Sequence, residues 1–523
     1  MSFANEKTFE NAVKEKKLEE VHSAYEGALD SVPFGVSFPN IIGELELETR
    51  SEFEDRSPID HSILLGRFPR STSHEVNEAI RAARDAFEEW SLTDWSQRVS
   101  IFKKIANVMR NEKFLLAAAV TLDNGKNRYE AIADVDEAID FIEFYCDQMA
   151  LHEGFIVETP IAYEGEKSIS VMRPYGIWAI ICPFNFPVAI TTGMATAAMI
   201  TGNTVIVKPS SLAPLPVYMI CQIMRFAGLP PGVLNFVAGP GAEVGDALIH
   251  HPEINGIAFT GSKEIGYSII RSSINRWPRP VIAEMGGKNA IIVSSKADLD
   301  DAVDGVVASA FGYGGQKCSA CSRVIVFEDV VDVFIRKLIG KTQTLKIGDP
   351  RERDAFLGPV ISEKAADDFV KFANLARTDG KILTGGLRIT GGIFDRGYYV
   401  EPTVVADLPS DHFLIKNELF LPFLCVQRAP DLEEAIKRAN DVEYGLTGGI
   451  FTTDEKEIEH YFDHIEAGVV YANRRRGGST GAMVGAQPFG GWKASGSTGK
   501  GAGGSYYLMQ FMKEQSRTRC QKT

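Results

Sequence analysis

The chain has 523 residues, 45% of them hydrophobic and 24% charged, which is a globular composition too long for one core, so two or three domains are expected. Its net charge of −14 argues against nucleic acid and anionic membrane as main partners, since both call for a basic surface. Seven scattered cysteines, an N-terminus without an apolar core and no stretch near the roughly 18 apolar residues of a membrane span point to a reducing, cytoplasmic setting.

Residues 1–70 are polar, with turn signals at Pro33, Pro39 and Pro58, and read as irregular. Helical periodicity then begins: in STSHEVNEAIRAARDAFEEW the apolar Val76, Ile80, Ala83 and Phe87 recur every three to four residues, and Ser73 is placed to cap the start. Further helices are predicted at about 97–111, 113–122 and 131–149, the one at 113–122 broken by Asn124-Gly125. From residue 156 the pattern alternates, predicting a β-hairpin around Gly165.

Short apolar strands separated by helices follow, at 176–181, 204–208, 234–237 and 256–260, which is the signature of a parallel sheet covered on both faces. A second series begins at 290–293 and continues through strands at 323–327, 423–428 and 449–452, so the boundary between two α/β units falls near Gly286-Gly287. The stretch 477–504 is rich in Gly, Ser and Thr, but Phe489 and Trp492 punctuate it, so it reads as an ordered loop over a site. The one dense basic run, 474–476, reads as a solvated loop.

The stretch FGYGGQKCSACSR, residues 311–323, holds the first candidate for chemistry. A thiolate beside a cation is a nucleophile, and Lys317 precedes Cys318 while small neighbours leave room for a substrate; a thiol packed in apolar surroundings would be inert. Glu284 in VIAEMGGKN ends an apolar strand, where burial would raise its pKa and make it a base, unless it is simply a solvated strand end. Asn185 in ICPFNFP offers amide N–H groups to an oxyanion, or else bridges its own turn. FTGSKEIG runs from a strand through Gly-Ser into a helix whose N-terminus suits phosphate, and Lys208 ends the strand of VIVKPSS within reach of a ribose or phosphate.

In this order, NFP, VKP, FTGS, AEMGGKN and QKCSA, then ELF and QPFGG, the chain resembles the NAD(P)-dependent aldehyde dehydrogenase superfamily over about residues 60–510. The resemblance implies an α/β fold of two Rossmann-like parallel-sheet domains plus a small β oligomerisation flap. It divides the chain into an NAD(P)-binding domain (1–155 and 172–286), a catalytic domain (287–480), a flap and tail (156–171 and 500–523) and a substrate-site loop (477–499). It makes Cys318 the nucleophile, Asn185 the oxyanion donor and Glu284 the base that activates water, with release to the acid rather than to coenzyme A. Pro183, Phe184, Lys208, Ser211, Gly241, Gly245, Gly261, Ser262, Glu418 and Phe420 match positions that hold NAD, and Ser211 in place of an acidic residue admits NADP as well. The motif NELFLPF departs from the family by placing Leu421 where glycine is common.

Within the superfamily the chain most resembles 1-pyrroline-5-carboxylate (L-glutamate γ-semialdehyde) dehydrogenases, through GQKCSA-SR, AEMGGKNAIIV, ADVDEAIDFIEFY and TGAMVGAQPFGG. By that resemblance Lys317, Ser319, Gly481 and Ala482 take the substrate carboxylate, Glu137 takes its ammonium, and Phe186 and Phe489 hold the aliphatic middle. A few extra residues between Asn473 and Thr480 adjoin this loop, leaving another semialdehyde or an aliphatic aldehyde as the alternative substrate. No metal is expected. Cys318-Ser-Ala-Cys321 is formally C-x-x-C, but it has no second pair and no histidine nearby, so a redox or zinc role is disfavoured. A non-catalytic role is disfavoured by the intact Cys318, Glu284 and Asn185. A homo-oligomer is expected, with a small aldehyde as the only other partner.

Overall fold

The computed structural model describes residues 3–274, 278–476 and 483–520. Two seven-stranded sheets dominate it. The first contains β1 (Asn40–Ile42), β2 (Leu45–Leu47), β3 (Ile177–Ile181), β4 (Thr204–Lys208), β5 (Leu234–Phe236), β6 (Ile254–Thr260) and β7 (Val281–Glu284) in the order β7-β6-β3-β4-β5-β1-β2. Strands β3 to β7 are parallel and nearly all buried, as expected of strands covered by helices on both faces. The β1-β2 hairpin closes the edge antiparallel, turning at Gly43 with a φ of 59°.

The second sheet contains β8 (Asn289–Val293), β9 (Cys321–Phe327), β10 (Lys381–Thr384), β11 (Thr403–Ala406), β12 (Phe423–Ala429), β13 (Thr447–Phe451) and β14 (Val469–Ala472), in the order β10-β11-β12-β9-β8-β13-β14. All pairs are parallel except β10 with β11. The chain leaves β7 at its carboxyl end, passes Gly286-Gly287 and enters β8 at its amino end. The carboxyl edge of the first sheet therefore faces the amino edge of the second, and whatever lies between receives loops from both.

A separate three-stranded antiparallel sheet joins Ile156–Glu158, Glu166–Pro174 and Met512–Cys520, with the last of these at its edge. Eight of the nine residues in that edge strand are exposed.

The helices Ser73–Trp90, Trp95–Asn111, Lys113–Asn124 and Arg128–Leu151 lie close to their predicted spans. The cap of the first is Thr72, not Ser73: its hydroxyl accepts from His74 N while the Glu75 carboxylate reaches back to Thr72 N. Such a capping box satisfies backbone donors at both its ends.

The reading of residues 1–70 as irregular is corrected. They form helices Thr8–Glu15 and Leu18–Leu29 and contribute β1 and β2 to the first sheet. Those helices are short and bury few apolar residues, so their periodicity is faint; Tyr25 anchors them, its hydroxyl bonded to Thr121 Oγ1 at 2.5 Å and its ring under the Arg128 guanidinium. Strands β10, β11 and β14 were likewise not anticipated, each being only four residues long.

Candidate active site

Between the two sheets lies a cavity lined by Glu137, Phe141, Phe186, Ile190, Gly193, Met194, Thr260, Glu284, Cys318, Ser319, Phe489, Ala502 and Tyr507. Residues as far apart in sequence as Glu137 and Tyr507 are gathered there by the facing edges of the sheets. Six of them, Cys318, Glu284, Glu137, Phe186, Ser319 and Phe489, are sites named from sequence.

Cys318 stands on a short connection before β9, held by its backbone rather than by its side chain. Asn289 Nδ2 donates to Cys318 O at 2.7 Å and to Ala320 O at 2.9 Å, while Asn289 Oδ1 accepts from Thr447 N. Asn289 is the key anchor that sequence reading missed; its place at the end of the motif AEMGGKN was the available signal. The approach to the cysteine turns through left-handed backbone at Tyr313, Gly314 and Gly315, with φ of 50°, 60° and 68°. A Cβ on Gly315 would collide with the Leu421 carbonyl, so this glycine is sterically required.

The cation expected beside the thiol is engaged elsewhere. Lys317 Nζ is buried and bonds both oxygens of Glu130 at 2.7 Å, and it does not line the cavity. With no cation beside it, burial pushes the Cys318 thiol up to about 12, and the carboxylates of Glu418 and Glu284 push in the same direction. The bidentate attraction of Glu130 outweighs anything a neutral thiol can offer an ammonium.

Glu284 closes β7, paired in register with Thr260 of β6. Its Oε2 accepts from Gly491 N at 3.3 Å, and burial lifts its pKa to about 8. The stretch 491–497 buttresses it: Met285 N donates to Ser495 O, and Ser495 Oγ donates to Gly286 O at 2.6 Å. Asn185 is buried and one of its amide N–H groups donates to Gln316 O at 3.1 Å, two residues before the cysteine. The amide is thereby tied to the Cys318 loop with its second N–H left for another acceptor.

The residues expected to hold a cofactor occupy the carboxyl ends of the parallel strands, where such sheets present ligand crevices. Pro183 and Phe184 follow β3, and the Phe184 ring meets Phe420 edge-on at 5.7 Å. Lys208 ends β4 and packs beside Gly245; its buried ammonium donates to Pro209 O at 2.9 Å, and burial lowers its pKa to about 8. Ser211 Oγ donates to Gly239 O at 3.3 Å. Gly241–Gly245 opens the helical turn after β5, and Gly261-Ser262 opens the helix Lys263–Ser272, with Ser262 as its N-cap.

Glu418 reaches in from the second sheet, its Oε1 accepting from Gly287 N at 2.9 Å and its pKa raised to about 7 by burial. A Cβ on Gly286 would fall on that carboxylate, and one on Gly287 would fall on the Cys318 carbonyl. Leu421, the departure from the family motif, points into the core of the second sheet beside Val360 and Cys425, while the left-handed turn is taken by Phe420 with a φ of 59°.

Gly481 and Ala482 lie outside the described residues. Cys321 is buried in β9 with its Sγ bonded to Arg323 O. Arg475 and Arg476 are exposed, as a solvated loop should be, and pair with Asp304 and Glu10, while the half-buried Arg474 donates to Gln487; all three stand on the wall of an outer cavity that shares Glu137 with the inner one. Among the described residues no helix is long and apolar enough to cross a membrane.

With two facing α/β sheets, a cysteine and a buried carboxylate between them and a row of strand ends beside them, the chain belongs to the aldehyde dehydrogenase family, whose pattern it matches over residues 46–516. It is 37% identical over 519 residues to a 1-pyrroline-5-carboxylate dehydrogenase of Geobacillus sp. (strain WCH70), covering 98% of this chain and 96% of that one. A 1-pyrroline-5-carboxylate dehydrogenase of Bacillus subtilis (strain 168) is also 37% identical, over 495 residues and 94% of each chain. Among solved structures, the 1-pyrroline-5-carboxylate dehydrogenase from Thermus with bound NAD superposes with a TM-score of 0.94 at 36% identity, covering 99% of both chains.

Proposed function

We propose that this chain oxidises L-glutamate γ-semialdehyde, the open form of 1-pyrroline-5-carboxylate, to L-glutamate with reduction of NAD(P), the oxidative end of proline degradation. The observation that carries the reading is the single cavity holding a cysteine, a base-tuned carboxylate and two aromatic walls beside the strand ends. The relatives' shared name supports the substrate.

In this reading the Cys318 thiol gives its proton to the ionised Glu284 carboxylate in the same cavity, which passes it to solvent, and Sγ attacks the aldehyde carbon to form a C–S bond. The oxyanion is held by the second N–H of Asn185 and by the Cys318 backbone N–H, a preorganised pair. NAD(P), held at the strand ends, would supply the hydride acceptor that lets this adduct on Cys318 become a thioester. The donor set fits that group: Lys208 has N–H groups beyond the one on Pro209 O for ribose hydroxyls, and the helix Lys263–Ser272 presents its N-terminus to phosphate. Ser211, a hydroxyl turned onto backbone, does not repel a 2′-phosphate, so NADP is admitted. Glu284 then takes a proton from water, the hydroxide oxygen bonds to the thioester carbon, and the C–S bond breaks, the leaving sulfur taking that proton from Glu284 to return the thiol.

Phe186 and Phe489 would flank the substrate's methylenes, Glu137 its ammonium, and Ser319 with Gly481 and Ala482 its carboxylate. Lys317 would contribute through the field of its ion pair rather than by direct contact. The edge strand Met512–Cys520, paired along all nine residues with Glu166–Pro174 and otherwise exposed, supports a homo-oligomer built on that sheet.

The direct test is steady-state kinetics with glutamate semialdehyde, succinate semialdehyde and propanal. The first should show the highest kcat/KM; a clear preference for propanal would overturn the substrate assignment. Cys318→Ala should lose turnover yet still bind NAD by calorimetry.

A further inference from the structure

Beside Phe186 the structure buries three charges, Lys126, Asp134 and Lys317, and half-buries a fourth, Glu130. Lys126 is fully buried, its Nζ 3.1 Å from Asp134 Oδ2 and 3.4 Å from the centroid of the Phe186 ring. The same ammonium lies 5.2 Å from the Tyr313 ring, in the glycine-rich approach to Cys318. Lys317 Nζ, paired with Glu130, is 5.9 Å from the Phe186 centroid. Phe186 lines the cavity and neither lysine does, so the ring is the cavity-lining group on which the ammoniums bear.

An ammonium costs a great deal to bury unless it is paired and hydrogen-bonded. Asp134 gives Lys126 one acceptor, and the ring faces of Phe186 and Tyr313 take the remaining charge as cation–π partners. Asp134 is itself fixed, because its Oδ1 accepts from Ala189 N at 2.7 Å, at the start of the helix that follows the NFP turn. Helix Arg128–Leu151, the NFP turn and the nucleophile's approach are thus clamped at one point. A ring that already faces a cation has its electron density drawn toward it. Such a ring accepts methylenes beside a carboxylate, and is a poorer platform for a second cation.

We propose that Lys126 is a positioning residue for substrate choice: held by Asp134 over the Phe186 ring, it fixes that wall of the slot and biases it against aldehydes that would lay a cation on the ring, as a quaternary-ammonium aldehyde would, while the semialdehyde's own ammonium goes to Glu137. The inference rests on the functional reading above. It assigns the choice between a carboxylate-bearing and a quaternary-ammonium aldehyde to a residue that touches neither.

The test compares the full-length wild type with Lys126→Met/Asp134→Asn, which removes both charges together, with Lys126→Arg, which keeps a cation on the ring, and with Phe186→Leu. Each is assayed on glutamate semialdehyde and on trimethylammonioacetaldehyde, with the KM for NAD as control. The double variant should raise KM for the semialdehyde about tenfold with kcat within about twofold, and shrink discrimination between the aldehydes by about tenfold. Lys126→Arg should restore most of the discrimination, and Phe186→Leu should collapse it without help from the other changes.

Unchanged discrimination in the folded double variant, or in Phe186→Leu, overturns the proposal. So does a fall in kcat with NAD affinity falling in parallel, which would mark a general structural role. Should the double variant not fold, Phe186→Leu decides alone. Wild-type inactivity on glutamate semialdehyde, with discrimination between other anionic and cationic aldehydes intact, would count against the functional reading and not against this one.

Discussion

At the scale of single residues, Cys318 and Glu284 share a cavity in which both protons are held tightly, and this sets the pH behaviour. With the thiol pushed up to about 12 by burial, inactivation of the free protein by iodoacetamide should accelerate about tenfold per pH unit from neutral upward and show no plateau below pH 10. A plateau near pH 8 would show a cation at the thiol that the structure does not place there. Glu284 holds its proton more tightly in the fold than at its ordinary 4.5, so its contribution to stability is complete at low pH and is lost as pH rises through about 8. The stability difference between wild type and Glu284→Gln, read from urea midpoints, should therefore decline with pH across that window. In turnover the same variant should accumulate thioester and show a burst of NADH, while wild type should gain deacylation rate as Glu284 ionises near pH 8. Cys318 and Glu284, which the fold brings to one cavity, could be singled out because their motifs are local. The Lys317–Glu130 pair was not, since its partner lies 187 positions away and sequence adjacency to Cys318 suggested a nearer use.

At the scale of elements, the most informative stretch is the link between β7 and β8. Gly287→Ala would press a methyl onto the Cys318 carbonyl, a backbone atom fixed by Asn289, so kcat should fall by more than about a hundredfold while NAD still binds. Gly286→Ala would meet the Glu418 carboxylate, a side chain that can swing away, so its main effect should be a raised KM for NAD. Equal effects on kcat and KM from both would contradict this division. Elsewhere an element can be weakened without touching chemistry: Thr72→Ala removes the capping box and should cost about 1 kcal/mol, read as a lower Tm with kcat unchanged. The helices from residue 73 onward were readable because each carries an apolar stripe of three or more turns. The N-terminal helices and the four-residue strands were not, because so few residues leave no period to detect and docking supplies their stability.

For the whole molecule, the alternation of strands and helices disclosed two parallel sheets and their boundary, but not how they face. That follows from the direction of the chain through Gly286-Gly287, together with the long return of residues 483–511 across the cavity. The sheet of Ile156–Glu158, Glu166–Pro174 and Met512–Cys520 carries the prediction at this scale: a chain ending at residue 511 should run as a smaller species than the full-length protein by light scattering. An unchanged mass would place the assembly surface elsewhere. The two adjoining glycines also bear on how such a protein can change over time. One position is shaped by the Glu418 carboxylate and the next by the Cys318 carbonyl, so a change at either is judged against a different loop. A saturation library scored for growth should find almost no accepted replacement at residues 286 and 287, and few second-site suppressors that rescue both.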